Sequence, residues 1–213
     1  MDLVILPGSK NTLNDLRYLH NQGIAEAIIS FHARGGTVVG ICGGYQMLGQ
    51  KVLDPMRVES DLQEITGLGL LDMETELLGE KVTTQVKARL LWPELADLSD
   101  QVHGYEIHMG QSRVLGPAMP LLEIVERNGK PVQVKDGLIS GDGRVWGSYL
   151  HGLFDNDGLR HRLISRLMSV DEVELTRGRL GSFRRWKEEQ YDKLASHLRN
   201  HLDMNRIYQI MGI

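Results

Sequence analysis

The residue with the clearest chemical potential is Cys42, the only cysteine among 213 residues. It lies in the run Gly40-Ile41-Cys42-Gly43-Gly44, where a β-branched stretch ends and a helical pattern begins. The spacing Gly-x-Cys-x-Gly is the thiol counterpart of the nucleophile elbow, a sharp strand-to-helix turn that needs small residues on either side of the nucleophile. In such a turn the amide of Gly43 helps to form an oxyanion hole, and the positive end of the helix favours the thiolate. The pattern therefore predicts that Cys42 is a nucleophile.

The alternative interpretation is that Cys42 is a small buried apolar residue, as single cysteines usually are. Core packing gives no reason for glycine two positions before and two positions after the cysteine, with a third glycine directly after it. The nucleophile interpretation is therefore favoured.

A thiol nucleophile needs a base within hydrogen-bonding distance, and histidines at later strand ends are the candidates. His151 follows the predicted strand 145–150 and precedes Gly152. His108 lies near the end of another predicted strand, 102–110, where it could reach a polar site or be an ordinary hydrogen-bonded histidine. We predict that His151 is the base.

A turn-rich loop, Pro7-Gly8-Ser9-Lys10-Asn11-Thr12, follows the first predicted strand, 3–6. Ligands of open parallel sheets bind at the carboxyl ends of strands, so this loop and Cys42 are expected at the same edge. Gly8 and Ser9 could supply the second half of an oxyanion hole. Lys10 and Asn11 are more simply turn residues, and Asn11 or Thr12 can cap the next helix.

The remaining pattern predicts one α/β domain. Strand 3–6, helix 23–34 and strand 37–41 form a strand-helix-strand unit, which should give a parallel pair with a right-handed crossover. Later strands are joined by hairpin turns at Asn128-Gly129 and at 141–143, whereas 53–78 has a weak pattern to which we assign little function. Two helical stretches follow, 157–168 and a C-terminal segment, 183–213, whose predicted buried residues are Trp186, Tyr191, Leu194, Leu198 and Leu202.

Composition narrows the function classes. The net charge of −4 is spread over residues of both signs, which argues against nucleic-acid binding, and no apolar run has the length of a membrane span. A single cysteine cannot form an internal disulfide, so we expect a reducing cytoplasm, and no Cys/His cluster predicts a metal site. The chain enters a buried strand directly after Met1-Asp2, so we expect either an N-terminally incomplete fragment of a longer polypeptide or a domain that borrows structure from a partner.

Four stretches of the chain combine turn residues with candidate site residues. In chain order they are Pro7–Thr12, Gly40–Gly49, Gly104–Gly110 and Tyr149–Asn156. Together they resemble the class I glutamine amidotransferases. The resemblance is closest to the glutaminase domains of cobyric acid synthases, and the C-terminal segments 191–195 and 202–204 fit that subgroup too. Related corrinoid and cell-wall amidotransferases differ mainly in flanking residues.

The resemblance implies a fold and a set of roles. The fold is flavodoxin-like, with three layers, a mostly parallel central sheet, flanking helices and added antiparallel hairpins. Cys42 would form a glutamyl thioester, and His151 would activate it and later protonate ammonia. The implied oxyanion-hole residues are Gly8, Ser9 and Gly43, and the implied glutamine-binding residues are Gln46, Tyr105, His108, Met109 and Gly110.

Two departures from the family pattern stand out. Most class I members have a glutamate two residues after the histidine, whereas this chain has Leu153. The site therefore resembles a Cys-His dyad, and we expect Leu153 to be a packing residue. The second departure is at the front, where the family's glutaminase domain has sequence before the first strand seen here and the full enzyme has an ATP-dependent amidating domain before that, so we expect this chain to be a fragment of a longer synthase. In agreement with this expectation, the chain has no Gly-x-x-x-x-Gly-Lys-Ser/Thr phosphate loop.

The resemblance therefore implies partners for the chain. No cofactor is expected in the chain itself; ATP and Mg²⁺ would act in an upstream synthetase domain. The partners implied are glutamine, that synthetase domain and a corrinoid acceptor, adenosylcobyrinic acid a,c-diamide, whose carboxylates would be amidated four times.

Three other hypotheses stay open at this stage. The acceptor could be that of a cobyrinic acid a,c-diamide synthase or of a cell-wall amidotransferase. The chain could also be a docking or regulatory domain without activity, although the presence of both Cys42 and His151 weighs against this.

Overall fold

The computed structural model describes residues 1–95, 101–168 and 182–213. The described strands form one ten-stranded sheet. They are β1 (Leu3–Leu6), β2 (Thr37–Ile41), β3 (Lys51–Leu53), β4 (Glu64–Thr66), β5 (Met73–Leu90), β6 (Val102–Val114), β7 (Met119–Arg127), β8 (Lys130–Ile139), β9 (Val145–Ser148) and β10 (Leu150–His151). The α-helices are α1 (Thr12–Asn21), α2 (Ile24–Ala33), α3 (Gly43–Met47), α4 (Asp157–Met168), α5 (Phe183–His201) and α6 (Met204–Met211), and short 3₁₀ helices span Pro93–Leu95 and Leu153–Asp155.

The strand-helix-strand unit predicted at the start of the chain is confirmed. β1 pairs with β2 in parallel, and β2 pairs in parallel with β9 on its other side. Asn11 caps α1 by accepting a hydrogen bond from the amide of Asn14 at 3.2 Å. Because β1 and β2 are parallel neighbours, their carboxyl ends meet at one edge of the sheet.

The α/β class with flanking helices is confirmed, but the sheet is mixed rather than mostly parallel. Parallel pairing among the described strands is confined to β1–β2, β2–β9 and β3–β5. The other six pairings are antiparallel. The predicted hairpins are the cause, because strands joined by a tight turn, such as β7 and β8 at Asn128-Gly129, must run in opposite directions.

The sheet separates two apolar cores, which gives the predicted three layers. Successive side chains of a strand point to opposite faces, so Val38 lies in one core and Val39 in the other. The first core packs against α1 and α2 through residues such as Leu16 and Ile28. The second core packs against α4 through residues such as Leu159.

Strand β6 brings distant parts of the chain to the sheet edge where β2 ends. It pairs with the long strand β5 along most of its length and also with the two-residue strand β10. In that second pairing Tyr105 lies opposite His151. The antiparallel register of β6 and β10 therefore fixes which β6 residues face the histidine.

The C-terminal helices are present as predicted, but the prediction that their apolar side chains are buried is wrong. In α5 and just after it, Trp186, Tyr191, Leu194, Leu198 and Leu202 have exposed fractions of 42 to 56%. A polar contact between α5 and the rest of the domain is made at the first residue of the helix, Phe183, whose amide donates a hydrogen bond to Asp157 at 2.9 Å. The described part of the domain therefore does not cover this apolar face. None of the helices that the structure describes is both long enough and apolar enough to cross a membrane.

Leu153, which stands where most class I members have a glutamate, is a core residue. Its side chain is 1% exposed and lies in the second core with Trp146 and Leu159. This agrees with the expectation that Leu153 is a packing residue.

We predict that Leu153→Ala lowers the free energy of unfolding by about 2–5 kcal/mol, the usual cost of removing a buried leucine side chain. Urea denaturation of this variant and of Leu115→Ala would test this. Leu115 is 43% exposed, so its truncation should change stability by less than about 1 kcal/mol. Loss of turnover in a Leu153→Ala protein of unchanged stability would contradict the packing role.

Candidate active site

The turn between β2 and α3 holds Cys42 in a strained conformation. Its φ is 52° and its ψ is −112°, a region that non-glycine residues seldom adopt and that costs about 1–3 kcal/mol. The turn is possible because the backbones touch: a Cβ on Gly40 would lie 2.6 Å from the carbonyl oxygen of Gly44. A Cβ on Gly44 would lie 2.0 Å from the carbonyl oxygen of Leu6, at the end of β1. Larger residues at these two positions are therefore excluded.

A cleft of about 770 Å³ opens at this turn. Cys42 itself is 7% exposed and borders the cleft. Most of the site residues predicted from the sequence line the same cleft, although they come from four separate parts of the chain. They are Gly8, Ser9, Cys42, Gly43, Gln46, Tyr105, His108, Met109 and His151.

Cys42 and His151 interact with the same backbone carbonyl. The Sγ atom of Cys42 donates to the carbonyl oxygen of Ile107 at 3.3 Å, and the His151 ring is hydrogen-bonded to that carbonyl as well. A Cβ on Gly8 would lie 3.1 Å from Cε1 of His151 and 3.7 Å from Cβ of Cys42. The thiol and the imidazole therefore meet beside Gly8, with Ile107 as their common acceptor.

The orientation of His151 is fixed by an aromatic neighbour. The rings of Tyr105 and His151 are stacked, with centroids 5.0 Å apart and an interplanar angle of 4°. The stacking partner and the carbonyl of Ile107 both belong to β6, so one strand restrains the ring on its face and at its edge. The ring is thus restrained by an aromatic neighbour and a neutral carbonyl, whereas a carboxylate orients the histidine in triads.

The environment of His151 disfavours its charged form. Burial lowers the pKa of His151, the hydrogen bond to Ile107 raises it, and the nearby His108 lowers it further, so that the net pKa is below the ordinary value. A lower pKa keeps the imidazole neutral, which is the form that accepts a proton from a thiol.

Gln46 and Gly110 form the floor beside the elbow. Gln46 is 3% exposed, and its Oε1 accepts a hydrogen bond from the hydroxyl of Thr12 at 3.0 Å. A Cβ on Gly110 would lie 2.3 Å from Nε2 of Gln46, so glycine is needed for the amide to fit. Gly110 therefore lies behind Gln46 and does not line the cleft itself.

His108 faces a second set of polar groups. Its Nδ1 lies 2.9 Å from the carbonyl oxygen of Gly110, and its ring stacks on Tyr149 with centroids 4.0 Å apart. Its Nε2 lies 3.6 Å from the buried carboxylate of Glu106. Both ring nitrogens of His108 thus face groups other than Cys42, so the geometry favours His151 over His108 as the candidate base.

Comparison with known proteins adds to this geometry. The family described as CobB/CobQ-like glutamine amidotransferase domain matches residues 1–159. This chain belongs to that family. The match includes both Cys42 and His151, so the cleft just described is the candidate active site of a glutamine amidotransferase domain.

Relatives of this amidotransferase domain include longer proteins. The chain is 54% identical over 217 residues to a cobyric acid synthase of Syntrophobacter fumaroxidans, covering all of this chain and 42% of the relative. It is 45% identical over 216 residues to a cobyric acid synthase of Desulforamulus reducens, with the same two coverages. The chain thus spans less than half the length of these relatives.

Solved structures support the fold of the domain. A crystal structure of a glutamine amidotransferase matches with a TM-score of 0.55 and 20% identity, covering 79% of each chain. The structure of PurLQS from Thermotoga maritima matches with a TM-score of 0.50 and 20% identity, covering 70% of this chain and 68% of the other. At this identity the likeness concerns the fold alone.

Three groups in the cleft were missed by sequence reasoning. Glu59 lies in a segment to which we assigned little function, Thr12 was considered only as a helix cap, and Ile107 acts through its backbone. A backbone acceptor leaves no signal in residue type. Glu59 could have been suspected only as a charged residue in a turn-rich stretch near the elbow.

Because burial lowers the pKa of His151, we expect the acid limb of kcat/KM for glutamine hydrolysis to lie below about pH 6.5, the ordinary histidine value. The acid limb moves to lower pH because a lowered pKa keeps the imidazole neutral, and hence able to accept a proton, in more acidic solution. Initial rates of ammonia release between pH 5 and 8 would measure the limb. An acid limb above pH 6.5 would contradict this assignment of the base.

Proposed function

We propose that this domain hydrolyses glutamine to glutamate and ammonia, with Cys42 as nucleophile and His151 as general base and acid. The observation that carries the proposal is the convergence of the two side chains on the carbonyl of Ile107, in one cleft. A thiol and a neutral imidazole held together in this way are the minimum required for covalent acyl transfer.

In the first half of the reaction, His151 takes the proton of the Cys42 thiol and the sulfur attacks the carboxamide carbon of glutamine. The tetrahedral intermediate collapses when its C–N bond breaks, and the nitrogen leaves as ammonia with the proton that His151 returns. The product is a glutamyl thioester on Cys42.

In the second half, water replaces ammonia in the cleft. His151 takes a proton from the water as its oxygen attacks the thioester carbon, and the S–C bond then breaks. Glutamate leaves, and the proton on His151 returns to the Cys42 sulfur.

The oxyanion of both intermediates needs donors, for which we propose the amides of Gly43 and of the Gly8-Ser9 loop. Gly43 is the first residue of α3, so its N–H has no acceptor within the helix. A Cβ on Gly43 would lie 2.8 Å from the amide nitrogen of Ser9. The two backbone segments are thus close enough to bind one oxygen together.

The names of the longer relatives suggest how the released ammonia is used. The relatives that align with the whole of this chain are named cobyric acid synthases. We propose that the ammonia is used there for ATP- and Mg²⁺-dependent amidation of corrinoid carboxylates by a synthetase portion, and that the protein is cytoplasmic. Gln46, Tyr105, His108, Met109 and Gly110 are proposed to shape the glutamine pocket, Gln46 and Met109 from the cleft wall and Gly110 from behind Gln46.

We predict that Cys42→Ala abolishes ammonia release from glutamine and that His151→Asn lowers turnover by roughly 10²–10⁴-fold, the usual loss when a general acid or base is removed. His32→Asn, on α2 and outside the cleft, is the matched control and should keep wild-type turnover. The measurement is ammonia release, made with and without the synthetase portion, ATP and acceptor.

Near wild-type hydrolysis by Cys42→Ala would overturn the nucleophile assignment. A loss below tenfold in His151→Asn would mean that another base serves. A folded wild-type protein without any hydrolysis, even with the synthetase portion present, would instead support the docking or regulatory hypothesis.

A further inference from the structure

The cleft wall opposite the elbow is a loop built around one buried carboxylate. Asp54 is fully buried and accepts hydrogen bonds from three consecutive amides. These are the amides of Val58 at 2.6 Å, Glu59 at 3.0 Å and Ser60 at 3.1 Å. Three hydrogen bonds to one ionisable side chain fix the backbone of the loop, and they therefore fix the position of the Glu59 backbone from which its side chain extends.

Glu59 enters the cleft with its carboxylate bound to the start of α1. Its Oε2 accepts a hydrogen bond from the amide of Thr12 at 2.9 Å, and the Thr12 side chain is hydrogen-bonded to the carboxylate as well. Burial raises the pKa of Glu59, and the negative charges of Asp54 and Asp15 add to this in spite of the Thr12 contacts. A cation bound to the carboxylate from the cleft would relieve this unfavourable environment.

The charges that line the cleft complement a free amino acid. Apart from its histidines, the described lining contains one acidic residue, Glu59, and one basic residue, Lys10. Lys10 is exposed and forms no ion pair with any described residue. A cleft with one carboxylate and one ammonium group beside a nucleophile matches a zwitterion whose side chain reaches the sulfur.

We propose that Glu59 is the specificity residue that binds the α-ammonium group of glutamine, with Lys10 attracting the α-carboxylate. The inference rests on the proposed function of the cleft. According to this inference, the site binds free L-glutamine. It discriminates against glutamine whose α-amino group is acylated or lies within a peptide, because an amide nitrogen carries no charge to pair with Glu59.

A purely structural role for Glu59 is the competing interpretation, since the contact with Thr12 also satisfies an amide in the first turn of α1. Glu59→Gln separates the two roles. Its carboxamide oxygen can still accept from Thr12, whereas its charge is lost. Asp61→Asn is the matched control, because Asp61 is an exposed carboxylate of the same loop that does not line the cleft.

The experiment compares two electrophiles that both alkylate Cys42, measured by mass spectrometry on the whole 213-residue chain. One is the diazoketone analogue of L-glutamine, which carries the α-ammonium and α-carboxylate groups. The other is iodoacetamide, which carries neither and reports the reactivity of the thiol alone. The readout is the ratio of the two second-order rate constants.

We expect Glu59→Gln to lower this ratio about 10- to 100-fold, the effect of one charge-assisted hydrogen bond, with the iodoacetamide rate unchanged within about twofold. Asp61→Asn should leave the ratio at the wild-type value. An unchanged ratio in Glu59→Gln, or equal losses with both reagents, would overturn the inference and leave the glutaminase proposal standing. A wild-type ratio no higher than for a simple thiol would overturn the proposed glutamine site itself, and this inference with it.

Discussion

The close approach of three backbone segments at the elbow is the constraint on which the site depends. The end of β1, the end of β2 and the start of α3 touch so closely that a Cβ on Gly44 would lie 2.0 Å from the carbonyl oxygen of Leu6. β9 adds a fourth segment, because a Cβ on Gly147 would lie 2.6 Å from the carbonyl oxygen of Gly40. Only glycine permits this packing, and the packing holds Cys42 at an unfavourable φ of 52°. The strain at the cysteine is thus balanced by close contacts among the neighbouring strands β1, β2 and β9 and the start of α3.

The second half of the site comes from strand pairing rather than from a side-chain relay. β6 supplies the ring that stacks on His151 and the carbonyl that the side chains of Cys42 and His151 both approach. A carbonyl can orient an imidazole as a carboxylate does, but it stabilises an imidazolium less because it carries no full charge. Burial also disfavours the charged imidazolium, because it lowers the pKa of His151. The site therefore favours a neutral base in the resting state, and a core leucine can occupy the position of the usual glutamate.

The sequence predicted those parts of the structure that are determined by interactions between residues close together in the chain. The turn residues before α1, the Asn128-Gly129 hairpin and the glycines around Cys42 each act within a few residues, and the structure has these elements where they were expected. The proportion of parallel strands was not predictable in the same way, because the pairings of β2 with β9 and of β6 with β10 join segments that are far apart in the chain. The helical period of α5 predicts an apolar stripe but not what covers it, and its tryptophan is 54% exposed.

The candidate site shows the same division between local and long-range information. The nucleophile and base were predicted from glycine spacing and strand ends, but the wall that contains Glu59 depends on Asp54 binding three amides further along the chain. Such a loop has no periodicity and is stabilised by one buried carboxylate, so sequence pattern alone cannot reveal it. The sequence pattern also does not reveal how this loop is connected to the rest of the site, because the connection consists of hydrogen bonds from Thr12 to Glu59 and Gln46.

Thr12 links three parts of the cleft into one hydrogen-bonded unit. Its amide donates to Glu59, and its hydroxyl donates to Gln46 on the elbow helix, while Thr12 itself follows the loop that contains Gly8 and Ser9. Thr12 is 1% exposed, so these bonds are shielded from water and are stronger than their surface equivalents. The loop 54–60 is therefore tied to the start of α1, which directly follows the backbone that lies beside Cys42 and His151. The geometry of these two side chains and the geometry of the wall that contains Glu59 are consequently not independent.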